Sequence, residues 1–137
     1  MARIYLDACV FISYAKQEMG WNLRGLFIES NNFFQKVKSE DHLLVLSNLF
    51  FKEVEKHAHL TKEMTIEMLD RMRVKNEFYF PIEKPPISEI EARGIHYPDS
   101  LHVGLAIQSQ CDCIATFNVR DFLPAQKWIK IIQPNEL

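Results

Sequence analysis

The first apolar run of the chain, Ile4-Tyr5-Leu6-Asp7-Ala8-Cys9-Val10-Phe11-Ile12, is interrupted by a single charged residue. Hydrophobicity this continuous is the pattern of a strand covered on both faces, as central strands of parallel sheets are, and it predicts a strand over 4–12. A carboxylate inside such a run loses its hydration without compensation. Asp7 therefore calls for a metal ion, a basic partner, or a place at the strand's exposed carboxyl end. Further along the spacing lengthens. Leu26, Phe27, Phe33, Phe34 and Val37, set among polar residues between Leu23 and Lys38, predict one or two helices interrupted near Ser30-Asn31-Asn32. Leu43-Leu44-Val45-Leu46 reads as a second buried strand. Ser47-Asn48 then offers N-cap chemistry for a helix through Leu49, Phe50 and Val54 toward Leu60.

Thr61 opens a further helix, with Glu63 nearby and apolar positions at Met64, Ile66, Met68, Leu69 and Met72. Phe78 to Ile82 is the third expected strand, ended by the proline-rich stretch Pro81 to Pro86. Ile87 to Arg93 suits a short helix closed by Gly94. Pro98-Asp99-Ser100 starts a helix whose buried face is Leu101, Val103, Leu105, Ala106 and Ile107. Cys113 to Phe117 and Trp128 to Ile132 supply a fourth and a fifth strand. Strands alternating with helices predict an α/β fold, a three-layer α/β/α sandwich around a central, mainly parallel sheet. With 137 residues, 47% of them hydrophobic, one domain spanning 1–137 is expected, and no repeat, linker or low-complexity segment divides it.

Composition narrows the partners. A net charge of -2 provides no global basic field, yet an acidic, metal-holding site can be balanced locally by a few Lys and Arg, so nucleic acid stays admissible. Three cysteines cannot all pair within one chain, and Cys111-x-Cys113 is tighter than a Cys-x-x-Cys zinc or redox pair; they read as buried small hydrophobes in a reducing compartment. No apolar stretch is long enough for a signal peptide or a transmembrane helix, which predicts a cytoplasmic protein with no membrane partner.

In open α/β sheets, sites form beyond the carboxyl ends of strands. Four acidic residues suit that place: Asp7 on the first strand, Glu53 in the helix after the second, Asp99 at a helix start, and Asp121 after the fourth strand. Gathered carboxylates repel one another unless a divalent cation satisfies them. Oxygen ligands suit Mg²⁺ or Mn²⁺ as the cofactor, and such ions support hydrolysis of a nucleic-acid backbone. Each residue also has a structural explanation. Asp99 can cap its helix, Glu53 can be solvated beside Glu55, and Asp121 and Asn118 can shape a turn. Asp7 is the hardest to explain structurally. Lys52 and Arg120 border the proposed site and are candidates for phosphate contact, with ordinary surface charge the alternative. His57, His59, His96 and His102 do not form a zinc set, and His102, one turn after Asp99, reads as a structural histidine able to touch a phosphate.

Taken together, four segments resemble the PIN domain family, and more narrowly the VapC-like toxins of toxin-antitoxin pairs. They are Tyr5 to Ile12 around Asp7; Ser47 with Glu53 six positions later; Pro98-Asp99-Ser100-Leu101-His102 through Ala106; and Ala115 to Phe122. The resemblance spans nearly the whole chain. It implies a Mg²⁺- or Mn²⁺-dependent endoribonuclease that leaves a 3′-hydroxyl and a 5′-phosphate. Asp7 and Asp99 would be primary metal ligands, Glu53 would position metal or water, Asp121 is the remaining acid, and Ser47 or Asn118 would support through hydrogen bonds. It also implies an RNA substrate and a small antitoxin protein as partner. Two positions depart from the family pattern: Cys9 stands where Asn is common, and Asn118 where many members have Asp. These departures keep a second reading in play, a catalytically weak module that binds protein or RNA. An aspartyl-phosphate enzyme fits less well, since a dehalogenase-type phosphatase needs an acid at position 9. A homodimer face is conceivable around Phe50-Phe51 and the helix from Met64 to Met72, with completion of the monomer's own core as the alternative.

Overall fold

The computed structural model describes the backbone of residues 1–18 and 24–137 and the side chains of 1–17 and 25–137. Five strands form one sheet: β1 (Arg3–Leu6), β2 (Leu43–Leu46), β3 (Lys75–Phe78), β4 (Cys113–Ala115) and β5 (Lys130–Ile132), in the order β3-β2-β1-β4-β5. Every pairing is parallel, with Ile4 opposite both Leu44 and Cys113. The helices are α1 (Ala8–Glu18), α2 (Arg24–Ser39), α3 (Asn48–Ala58), α4 (Lys62–Arg71), α5 (Ile87–Ala92), α6 (Asp99–Gln108) and the short α7 (Val119–Phe122). They cover both faces, giving the expected three-layer α/β/α sandwich.

Alternation along the strands divides the core in two. Ile4, Leu6, Leu44 and Leu46 point to one face, where Phe11, Phe33, Phe34 and Phe50 fill the space under α1, α2 and α3. Tyr5, Val45, Ile114 and Ile131 point to the other, against Ile90, Val103, Ala106 and Phe122 from α5, α6 and α7.

The opening run does not remain a strand to residue 12. β1 ends at Leu6, and Ala8 begins α1. The last ladder bond runs from the Asp7 amide to the Ala115 carbonyl at 3.1 Å, and the Asp7 carbonyl then accepts from the Val10 amide at 3.2 Å. A helix boxed in by the sheet, α2 and α3 has little polar face, so its sequence looks like a buried strand. Asp7 consequently stands at the carboxyl end of β1 rather than within it. Helix α2 runs unbroken through Ser30-Asn31-Asn32, because Ser30 is buried while Asn31 and Asn32 keep to the outer side. Leu23, the expected start of that helix, lies outside the described residues.

The third strand is also displaced. β3 occupies Lys75–Phe78 and shares only Phe78 with the expected 78–82 segment. As the edge strand it carries Lys75, Asn76 and Glu77, polar residues that suit an open edge and hide a strand from hydrophobic patterning. Arg3 on β1 reaches it through an ion pair with Glu77 at 2.9 Å. Elsewhere the elements fall close to expectation. Ser47 caps α3, accepting from the Phe50 amide at 3.2 Å, and Thr61 caps α4 likewise from Met64. Gly94 follows α5 with φ +94°, a conformation that favours glycine. β4 and β5 are each shorter than their apolar runs.

Phe50 and Phe51 are buried in this chain's own core, and of the Met-rich helix Met64 is exposed. Among the described residues, no helix is long and apolar enough to cross a membrane.

Candidate metal centre

The carboxyl ends of β1, β2 and β4 meet where α1, α3 and α6 begin or pass, and the sequence places an ionisable or hydrogen-bonding group at each. Asp7 is only 6% exposed. Its Oδ2 accepts from the Thr116 hydroxyl at 2.6 Å and from the Cys9 thiol at 3.2 Å. Thr116 in turn accepts from the Asn118 amide at 2.9 Å, and Cys9 Sγ from the Phe117 amide at 3.4 Å. Burial pushes the Cys9 thiol well above its ordinary pKa, and the Asp7 charge pushes it further, so the thiol stays protonated and serves as a donor. Cys9 thus helps to orient the Asp7 carboxylate.

Asp7 Oδ1 is left facing His102, whose Nε2 lies 3.7 Å away. The same Nε2 is 2.7 Å from Glu53 Oε1. On the far side of the ring, His102 Nδ1 is 2.6 Å from the Tyr5 hydroxyl, which also meets Ser47 Oγ at 2.8 Å. A bond of 2.7 Å to a carboxylate requires the proton on Nε2. Nδ1 then accepts from Tyr5 when the ring is neutral and donates to it when the ring is charged. Burial disfavours the imidazolium, but the bond to Glu53 and the charges of Asp7, Glu53 and Asp99 outweigh it, and the His102 pKa rises. Burial raises the Tyr5 pKa well above 10, so the phenol stays protonated.

Asp7, Glu53 and His102 each present one ligand atom within 4.8 Å of the others, a group close enough to hold a metal ion. The two carboxylates suit a divalent cation, and His102 joins them as a ligand only by giving up the Nε2 proton it donates to Glu53; while it keeps that proton it orients Glu53 instead.

Asp99 and Asp121 stand outside that tight group. Asp99 opens α6 but does not cap it, and its carboxylate makes no hydrogen bond to a described residue. It is half-buried, and burial, then the charge of Asp7, raises its pKa to about 6; His102 opposes the shift, while Asp121 and Glu53 add to it. Asp99, Asp121, Arg120 and His96 line an open cavity of about 370 Å³. Asp121 is exposed, in the single turn of α7, and Asn118 precedes that turn with an exposed side chain. Ser47 is buried beneath the site and never reaches it directly; it acts through Tyr5. Lys52 is exposed on α3, and Arg120 is exposed at the cavity.

His102 is the residue that sequence reasoning placed outside the ligand group. The available signal was its position, three residues after Asp99, on a helix turn whose other members are apolar. Thr116 and Tyr5 were also overlooked; the bulk of a tyrosine in a core strand masks the hydroxyl that ties Ser47 to His102.

No family model matches this chain, and no curated protein matches it. A solved structure, a domain of a functionally unknown protein from Methanocaldococcus jannaschii DSM 2661, is similar to it with a TM-score of 0.56 at 18% identity, covering 97% of this chain and 91% of that one. At that identity the likeness speaks for the fold.

Proposed function

We propose that this protein is a divalent-metal-dependent endoribonuclease of the PIN type, with Mg²⁺ or Mn²⁺ as its ion and RNA as its substrate. The observation that carries the reading is the convergence of Asp7, Glu53 and His102 on one point at the carboxyl end of a parallel sheet, with the half-buried Asp99 beside them. When bound, a divalent ion lowers the pKa of water and stabilises charge on a phosphodiester in flight. The chain's own residues do the rest. Thr116 and Cys9 fix the Asp7 carboxylate through its Oδ2, leaving Oδ1 free to ligate. His102, held from behind by Tyr5 and Ser47, fixes Glu53. Asp99, with its raised pKa, gains its full charge only near neutrality or when a cation approaches. Arg120, on the cavity wall with Asp99, is a candidate for a phosphate contact.

A toxin role, with a small antitoxin closing the acidic site, is part of this reading and rests on the sequence resemblance. The alternative of a binding module without catalysis is favoured by one observation: the exposed Asp121 and Asn118 supply no ligand to the tight group. Cleavage of a mixed RNA with Mg²⁺ or Mn²⁺, comparing wild type with Asp7→Asn and Asp99→Asn prepared identically, separates the two. Metal-dependent cutting lost in both variants supports the nuclease. Equal cutting in all three assigns the activity to a contaminant or to another site, and no cutting in any, with no metal bound, supports the module.

A further inference from the structure

We infer that the groove between α3, α6 and the segment after β3 is a stacking subsite for one nucleobase of the RNA, an inference that rests on the nuclease reading above. The groove has a volume of about 310 Å³ and is lined by Lys52, Phe80, Tyr97, Leu101 and Leu105 among others, with no acidic side chain on its wall. Its two aromatic walls are open to solvent: Phe80 is 71% exposed and Tyr97 62%. Nearby Phe78, by contrast, lies against Phe51 and under the Lys62 ammonium, 4.0 Å from its ring centroid.

The groove's lining residues are chain neighbours of the metal centre's. Lys52 precedes Glu53 on α3, Leu101 precedes His102 on α6, and Tyr97 lies two residues before Asp99. A base entering it would hold its own backbone beside Glu53 and Asp99. Charge fits the same occupant. In a chain of net charge -2, the wall bordering the most acidic point carries one cation and no anion, suiting a phosphate at Lys52 and an uncharged ring between Phe80 and Tyr97. A stacked helix keeps its bases covered, so such a subsite requires unpaired RNA, whose bases splay onto aromatic faces.

The test measures binding and cleavage separately. Binding is read by anisotropy of a fluorescein-labelled, unstructured 10-nucleotide RNA, with Asp7→Asn carried in every protein to prevent cutting. Phe80→Ala and Tyr97→Ala are each expected to weaken binding about 5- to 150-fold, while Tyr97→Phe and Phe80→Tyr retain it. Lys52→Ala is expected to lower affinity and to reduce the salt slope by about one. Both aromatic positions are exposed, and thermal melting verifies that the variants fold. RNA bound equally by all variants overturns the subsite and leaves the nuclease reading to the cleavage assay. Aromatic-dependent binding with no cleavage by the Asp7-containing protein upholds the subsite and overturns the nuclease. Absence of RNA binding overturns the subsite, as does a dimer seen by sedimentation that Phe80→Ala dissolves, which would assign the groove to a second copy of the chain.

Discussion

The two faces of the sheet are built from alternate residues of the same strands, and they do different work. The face under α1, α2 and α3 is almost wholly apolar, with Phe11 edge-on to both Phe34 and Phe50. The opposite face buries Tyr5, His102 and Ser47 as a hydrogen-bonded chain that ends on Glu53. On the first face a side chain contributes its volume; on the second it contributes a donor at a fixed distance. Ile4 and Leu6 against Tyr5 show the contrast within one strand, and it implies that stability and chemistry can be damaged separately.

The sharpest separation comes from Asp7→Asn. RNA cleavage is expected to fall to background while the urea midpoint stays or rises, since a charge beside Asp99 and Glu53 has been removed. An assay of activity and unfolding on one preparation checks both halves. The mirror experiment is Phe34→Ala on the other face. It is expected to cost about 3–5 kcal/mol, read from urea unfolding, with metal affinity of the remaining folded protein unchanged. Loss of metal affinity there would erase the distinction between the faces.

Tyr5→Phe probes the boundary, because it keeps the ring and deletes only the hydroxyl. Ser47 and His102 each lose a buried partner, a cost of about 1–3 kcal/mol, and metal affinity is expected to drop about 10-fold or more as His102 loosens its hold on Glu53. Titration calorimetry and urea unfolding on the same variant report the two effects. A smaller effect concerns pH. A folded-state pKa of about 6 for Asp99, above its ordinary 3.8, means that its contribution favours the fold at low pH and is lost as pH rises from about 4 through 6. His102, also raised, acts in the same direction at its own range. Metal-free protein is therefore expected to lose stability as pH rises from about 4 through 6 and again as His102 loses its proton, and Asp99→Asn to flatten the lower part of that slope in unfolding measured across pH.

The sequence revealed the layered fold because caps and alternation are local signals. Ser47, Thr61, Gly94 and Pro98-Asp99 mark helix ends where the structure has them. It misplaced elements where burial depends on distant neighbours. Ala8 to Ile12 looks like strand because a helix enclosed on most sides carries no polar stripe, and Lys75 to Glu77 escapes notice because an edge strand carries polar residues. At the site, Asp7 was legible as a carboxylate with little structural reason to be there, and Glu53 through its place in the helix after the second strand, although solvation beside Glu55 explained it equally. His102 was not legible, since its role comes from Tyr5 and Ser47, 97 and 55 residues away in sequence and brought to it by the parallel register of β1 and β2 and the packing of α6 on that face.

Titration of the metal-free protein with Mn²⁺, followed by electron paramagnetic resonance, tests the central claim most directly when wild type is compared with Asp7→Asn and Glu53→Gln. One bound ion per chain in the wild type, lost or greatly weakened in both variants, is the predicted result. No bound ion in the wild type, or equal binding in all three proteins, would contradict the metal centre.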